Sequence, residues 1–306
     1  MKEPPSSEEI GEAAIELAVD PSFVEKDWYA VQALEAVVNH SSGHVPAIFS
    51  GGTSLSKGHG LIQRFSEDLD FVISSDQLLN RSERRAYRES IIQEIELTEA
   101  FEINKKSIEV RDSGKFFSFK INYLQNQKSH PSLRPYLKLE MSFRGLSQPA
   151  VIQPIRSFIS ELKREEAKLY IPCVTPTETG ADKFSALIWR VLIKDRGKKE
   201  GSKWNEPQIM RHLHDLCALE CQINESQEFS KIALQKFPGD AKRGGFDSGY
   251  TIGQAANDMI DRIETDRIYR DEYNQFVKAM SYASESEQID FDQAIDSLKR
   301  IRGVLQ

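Results

Sequence analysis

The sequence predicts an α+β fold, with strands concentrated in residues 1–175 and a helical region from 176 to 306. Three observations carry this. Tyr136 to Phe143 alternates cleanly, with Leu137, Leu139, Met141 and Phe143 on one face and Lys138, Glu140 and Ser142 on the other. Val45 to Ser74 reads as a strand, a glycine turn, a short helix and a second strand. From Thr177 onward the apolar residues recur at helical spacing.

Taken in order, Ser6-x-x-Glu9 has the form of a capping box, and Ile10, Ala13, Ala14 and Leu17 follow at helical intervals. Pro21-Ser22 restarts the chain into a second helix carrying Val24, Trp28, Val31, Leu34, Val37 and Val38, which ends near Ser41-Ser42-Gly43. Trp28 is expected to anchor the core. Beyond the strand–turn–strand unit, Gln77 to Thr98 has a charged helical pattern. Ser107 to Val110, Phe116 to Tyr123 and Tyr136 to Phe143 are expected strands. Helices are then expected at Thr177 to Ile193, Pro207 to Glu220, Ile252 to Ala283 and Phe291 to Leu305, with a glycine-rich break from Gly239 to Gly249. There is no internal repeat.

A chain of 306 residues can bury a substantial core in one elaborated domain or two joined ones. Its three cysteines, Cys173, Cys217 and Cys221, are odd in number and do not make a disulfide framework, so a reducing, cytoplasmic location is expected. The first residues have no apolar leader segment, and no apolar run is long enough to span a bilayer, so no membrane partner is expected. A formal net charge of −7 argues against wholesale coating of nucleic acid, whose binding is dominated by cation–phosphate contacts. Local basic grooves are still compatible with it. Lys194 to Lys203 and Lys236 to Gly245 are the segments considered for RNA or phosphate contact, against the alternative that charged loops are simply solvated.

The chemistry concentrates between Ile48 and Ile73. Asp68 and Asp70 are one residue apart in an apolar run, so on a strand both carboxylates leave the same face while Leu69 and Phe71 turn to the core. Paired oxygens on a rigid strand suit a hard divalent cation such as Mg²⁺, or Mn²⁺ in its place. Gly51 and Gly52 allow backbone N–H groups to approach phosphate with no Cβ in the way. Asp-x-Asp and Gly-Gly-Thr-Ser are each common alone, as a strand edge and as a turn; their order and spacing together point to an active site. Nucleotidyl transfer requires metal ions at both the attacking and the leaving oxygen, and Glu140, mid-strand among apolar residues, is the best third acid. Its alternative is an ordinary surface strand residue.

These segments, together with Val24-Glu25-Lys26-Asp27-Trp28, Leu139-Glu140-Met141-Ser142-Phe143, Asp182-Lys183-Phe184-Ser185-Ala186-Leu187 and Arg211-His212-Leu213-His214-Asp215-Leu216, resemble the AbiEii/AbiGii nucleotidyltransferase toxins. That family supplies the toxin halves of bacterial type IV toxin–antitoxin pairs and is related to the MenT toxins. The resemblance implies a polymerase-β-like nucleotidyltransferase core with a mixed sheet, followed by a helical C-terminal region. It also implies site roles. Gly52, Thr53 and Ser54 would cradle the triphosphate, and Asp68 and Asp70 would hold metal. Ser66 would bond a phosphate or position Asp68, and Lys183 would bind the triphosphate as a point charge. Asp215 would serve as a base or orient a cation near the nucleophile.

Without the resemblance, Lys183 reads as a helix-surface lysine and Asp215 as a solvated residue or the partner of Arg211 one turn earlier. His214, Cys217 and Cys221 share a helical face, but small buried cysteines among apolar residues explain that spacing better than zinc does. The sequence departs from the family pattern in two places. The gap from Gly52 to Asp68 is long, and His212, Leu213 and His214 follow Arg211 where relatives carry Arg-Asp. The function implied is an NTP-dependent toxin that adds a nucleoside monophosphate to an RNA, the 3′ end of tRNA, blocking translation, paired with an antitoxin that acts without a tight complex. The alternatives are transfer to a protein or small-molecule hydroxyl, and a non-catalytic NTP- or RNA-binding module.

Overall fold

A computed structural model describes residues 3–41, 45–75, 79–206, 208–245 and 249–305. The chain divides into two compact units, the described residues of Met1–Gly60 with Phe65–Val174, and Leu61–Arg64 with the described residues of Thr175–Gln306. Gly43, Gln77, Leu78 and Pro207, expected near element ends, lie outside the described residues, as does part of the glycine-rich stretch.

In the first unit, α1 (Ser7–Glu16) begins as its capping box dictates. The Ser6 N–H donates to Glu9 Oε2 at 2.8 Å and the Glu9 N–H returns to Ser6 Oγ at 3.2 Å. Helix α2 (Pro21–Ser41) opens on a proline, which needs no helical acceptor there, and buries Trp28, Leu34 and Val37. Strand β1 (Ala47–Ser50) leads into α3 (Gly51–Thr53), which continues as a π-turn over Ser54–Gly58. Strand β2 (Asp68–Ile73) precedes α4 (Arg81–Glu96), whose N-cap is Asn80. There follow β3 (Phe101–Ile103), β4 (Glu109–Arg111), β5 (Phe116–Tyr123), β6 (Leu137–Phe143), β7 (Val151–Ile155), α5 (Phe158–Leu162) and β8 (Leu169–Cys173).

The strands form one mixed sheet in the order β3-β5-β6-β2-β1-β8-β7, with β4 also paired to β5. Antiparallel β1/β2 and β5/β6 flank a parallel β2/β6 pair, so β2 lies inside the sheet with a neighbour on each side. Phe49, Leu69, Phe71, Phe117, Phe119 and Leu139 build its core. Three strands were not apparent from the sequence: β3, β7 and β8 are short, and Pro154 and Pro172 interrupt the residue pattern expected of a strand.

In the second unit, α6 (Pro176–Leu192) starts at the N-cap Thr175, whose hydroxyl accepts from the Glu178 N–H at 3.2 Å. It is followed by α7 (Arg211–Ala218), α8 (Glu220–Asn224), α9 (Phe229–Gly244), α10 (Ile252–Thr265), α11 (Arg267–Met280) and α12 (Phe291–Val304). Two expectations are corrected. Gly239 sits inside α9, which runs past it and stops at Gly245 in the left-handed region (φ 74°). The long helix expected from Ile252 to Ala283 is two helices, because Asp266 adopts extended backbone and caps α11 through the Ile268 N–H. Leu61–Arg64 joins this unit through the Tyr282 N–H, which donates to the Gln63 carbonyl at 3.1 Å.

Candidate active site

The first unit assembles a carboxylate face around β2. Asp68 and Asp70 are half-buried, whereas Leu69 and Phe71 between and after them are almost fully buried, as strand alternation requires. Register then brings in the neighbours: Ser50 of β1 lies opposite Asp70, and on β6 Lys138 pairs with Asp68 and Glu140 with Asp70. Gly51 follows Ser50 in the left-handed region at φ 74°, and a Cβ there would overlap Asp70 Oδ2. Glycine is therefore required both by the backbone angle and by the approach of the carboxylate. The first amides of a helix lack intrahelical acceptors, so the short turn of α3 opens with backbone N–H groups at Gly51 and Gly52 next to Asp70.

The two hydroxyls after the glycines are both buried. Thr53 is buried and donates through Oγ1 to the Asp68 carbonyl at 2.6 Å, with the Ser66 carbonyl at 3.4 Å, which pins the turn to the start of β2. Ser54 is wholly buried. Neither hydroxyl faces solvent, so at this turn backbone N–H groups are the donors open to a phosphate.

Cations already engage this face. Arg134 donates through Nη2 to Asp68 Oδ1 at 2.9 Å and through Nε to Glu67 Oε2 at 3.1 Å, and its backbone N–H donates to Glu67 Oε1 at 2.7 Å. Glu67 is in turn ion-paired with the buried Lys26, whose ammonium also donates to the Arg134 carbonyl at 2.6 Å. Burial pulls the Lys26 ammonium below its ordinary value, opposed by the Glu67 charge. Lys138 pairs with Glu140; burial pulls this ammonium down, but the Glu140 and Asp68 charges outweigh that and hold it above the ordinary lysine value. Among the described residues no three His, Cys, Asp or Glu side chains converge as a ready metal cage. A divalent cation is instead suited by the Asp68 and Asp70 oxygens, since Mg²⁺ fills its remaining positions with water and substrate phosphates.

The second unit gathers a different cluster. Asp215 of α7 is fully buried and accepts from Arg64 through Nε and Nη2, both at 2.6 Å, while Lys183 Nζ of α6 lies 2.7 Å away. His214 Nδ1 approaches Asp215 Oδ1 at 3.4 Å. Burial acts to raise the Asp215 carboxyl, but Arg64 and Lys183 drive it well below the usual range. Burial pulls Lys183 below its ordinary value, opposed by Asp215 and reinforced by Arg64. Three expectations change here. Lys183 is a buried ion-pair partner, not a surface lysine; Arg64 holds Asp215 where Arg211 was the expected partner; and a carboxylate so stabilised as an anion is a poor proton acceptor. Nearby, Arg190 Nη1 lies 3.1 Å from His212 Nε2, and burial followed by the charges of Arg190, Lys183 and Arg211 holds His212 well below the ordinary histidine value.

Lys26, Glu67, Arg134 and Arg64 were not singled out by sequence. Lys26 and Glu67 gave no local signal, because Glu25-Lys26-Asp27 and Ser66-Glu67-Asp68 read as polar stretches in which charges are ordinarily solvated. The basic segments also resolve into structure. Lys194 is buried against the Glu206 carbonyl and Glu272, and Arg196 bonds Asp266 and Glu272. Lys236 pairs with Glu178 and Asp182. Cys217 is only partly buried and Cys221 is exposed, so the buried-core reading of the pair does not hold.

A carboxylate pair inside a mixed sheet, beside a glycine-initiated helix, defines a nucleotidyltransferase core. The chain belongs to the AbiEii nucleotidyltransferase toxin family of type IV toxin–antitoxin systems, whose family model matches residues 32–297. Its fold is similar to that of MenT4, a nucleotidyltransferase toxin of Mycobacterium tuberculosis H37Rv, with a TM-score of 0.50 and 16% identity over 97% of this chain and 99% of that one. No curated protein matches the sequence.

Proposed function

We propose that this nucleotidyltransferase uses Mg²⁺, or Mn²⁺, to move a nucleoside monophosphate from an NTP to an RNA, the 3′ end of tRNA, and so blocks translation. The observation that carries the chemistry is the shared face of Asp68 and Asp70, with Gly51 against Asp70 and Glu140 in register beside it. In the reaction an acceptor hydroxyl oxygen bonds to the α-phosphorus, the bond from that phosphorus to the bridging oxygen breaks, pyrophosphate leaves and the hydroxyl proton passes to solvent. Bound metal supplies charge neutralisation at the attacking and leaving oxygens. Asp68 and Asp70 hold it, Glu140 is the adjoining acid, and backbone N–H groups at Gly51 and Gly52 receive phosphate. Ser66 contributes by fixing the turn before Asp68. Lys183 enters as a triphosphate-binding charge, and Asp215 as the group that orients it, on the family resemblance.

The RNA acceptor and an antitoxin that acts without a tight complex likewise come from the resemblance, and the cytoplasmic location from three cysteines that make no disulfide framework. A net charge of −7 favours the rival acceptor, a protein or small-molecule hydroxyl. Incubation with each α-labelled NTP, Mg²⁺, total tRNA and cell protein distinguishes them. Label is expected in tRNA and absent with Asp68→Ala; label in protein alone, or none at all, overturns the tRNA assignment.

A further inference from the structure

Arg134, as exposed as Lys138 on the same carboxylate face, differs from it in being fixed at both its backbone N–H and its guanidinium. Its backbone N–H and Nε are held by Glu67, itself clamped by Lys26 from α2, so the guanidinium plane is set before any ligand arrives. Nη2 bonds Asp68 at 2.9 Å, yet the side chain is 32% exposed, in contrast to Glu67 at 4% and Lys26 at 6%. Nη1 has no acceptor among the described residues. Two buried, oppositely charged groups thus hold a partly exposed guanidinium next to a carboxylate that suits a metal. A merely neutralising partner for Asp68 does not require such support.

We infer that Arg134 is a triphosphate-binding residue, which donates from the Nη1/Nη2 edge to phosphate oxygens of the NTP, with Glu67 and Lys26 as its positioning residues. This rests on the proposed nucleotidyl transfer. The geometry suits the ligand, since a planar guanidinium matches phosphate oxygens bidentately and a charge-assisted pair is about twice as strong as a neutral hydrogen bond. Selection between NTP and NMP then follows, because only the former carries the additional phosphates.

The test uses the full chain and compares wild type, Arg134→Ala, Arg134→Lys and Asp68→Ala in steady-state label transfer from α-labelled NTP, and in equilibrium binding of a non-hydrolysable NTP and of the matching NMP. Arg134→Ala should raise the NTP KM and Kd about 10- to 100-fold, in line with the loss of charge-assisted bonds, and leave NMP binding within about twofold. Arg134→Lys should recover part of the loss. Glu67→Gln should shift KM in the same direction, with no further effect when combined with Arg134→Ala. If Arg134→Ala leaves the NTP KM and Kd unchanged while wild type transfers label, the inference is wrong and nucleotidyl transfer stands. If NMP binding falls as far as NTP binding, the role is structural and the inference is again overturned. Absence of transfer by wild type itself, with NTP binding still sensitive to Arg134, counts against the transfer chemistry alone.

Discussion

The carboxylate face of β2 and the ion cluster of α6 and α7 use the same residue types, an aspartate with an arginine and a lysine nearby, in opposite environments. Asp68 is partly exposed, at 16% of its side chain, and its arginine is more exposed still; Asp215 is at 0%, and Arg64 and Lys183 are buried with it. A partly exposed carboxylate can exchange a guanidinium for a metal ion or substrate at less cost than a buried one. A buried carboxylate cannot be parted from its cations without leaving uncompensated charges in low dielectric. The first arrangement leaves its carboxylate open to exchange, and the second ties α6, α7 and Leu61–Arg64 together and fixes Lys183 in place.

Substitutions should separate the two regions, beginning with the largest effect. Asp68→Ala or Asp70→Ala should lower label transfer by about 10³-fold or more with little change in melting temperature, since both carboxylates are only half-buried. Asp215→Ala should destabilise by about 3–5 kcal/mol, read as a shift in the denaturant midpoint, because the buried Arg64 and Lys183 lose the carboxylate that neutralises them. Gly51→Ala, strained at φ 74° and driven into Asp70, should cost about 1–2 kcal/mol and at least tenfold in transfer rate. If Gly51→Ala is fully active, the helix start does not matter to Asp70.

Two pH effects sharpen the same contrast. The folded Asp215 carboxyl lies well below its unfolded value, so its contribution is complete above the unfolded value and is lost as pH falls toward the folded one. Asp215→Asn should therefore flatten the acid limb of the stability curve, with Arg64, Lys183 and His214 as the facing groups. His212 is held neutral by burial and by Arg190, Lys183 and Arg211, so the unfolded chain binds its proton first as pH falls below the ordinary histidine value. Stability should decline from about pH 7 toward pH 5, by at most about 1.4 kcal/mol per unit from this group, and His212→Gln should remove that slope. An unchanged slope in the variant places the loss elsewhere.

The carboxylate pair was legible because a strand repeats every two residues, so Asp68 and Asp70 declare their shared face locally. Glu140 was legible by the same alternation, and β6 does lie in register with β2. The ion cluster was not, since Arg64 and Asp215 are 151 residues apart and nothing local couples them. Arg134 sits between β5 and β6 in a segment with no periodicity, so its support from Lys26, 108 residues earlier, was hidden as well. The bond from Thr53 to the Asp68 carbonyl was hidden because a hydroxyl after glycines fits either a phosphate or a backbone carbonyl, and only packing decides. The Asp266 break escaped notice because an aspartate can sit on a helix surface or cap the next helix without altering the apolar spacing on either side.

The most direct measurement sets Asp68→Asn beside Asp215→Asn, recording Mg²⁺-dependent transfer from α-labelled NTP and thermal melting on the same preparations. Asp68→Asn should melt within a few degrees of wild type and lose about 10³-fold in transfer, whereas Asp215→Asn should melt about 10 °C lower. Full transfer by a folded Asp68→Asn protein would contradict the assignment of the active site to the β2 carboxylates.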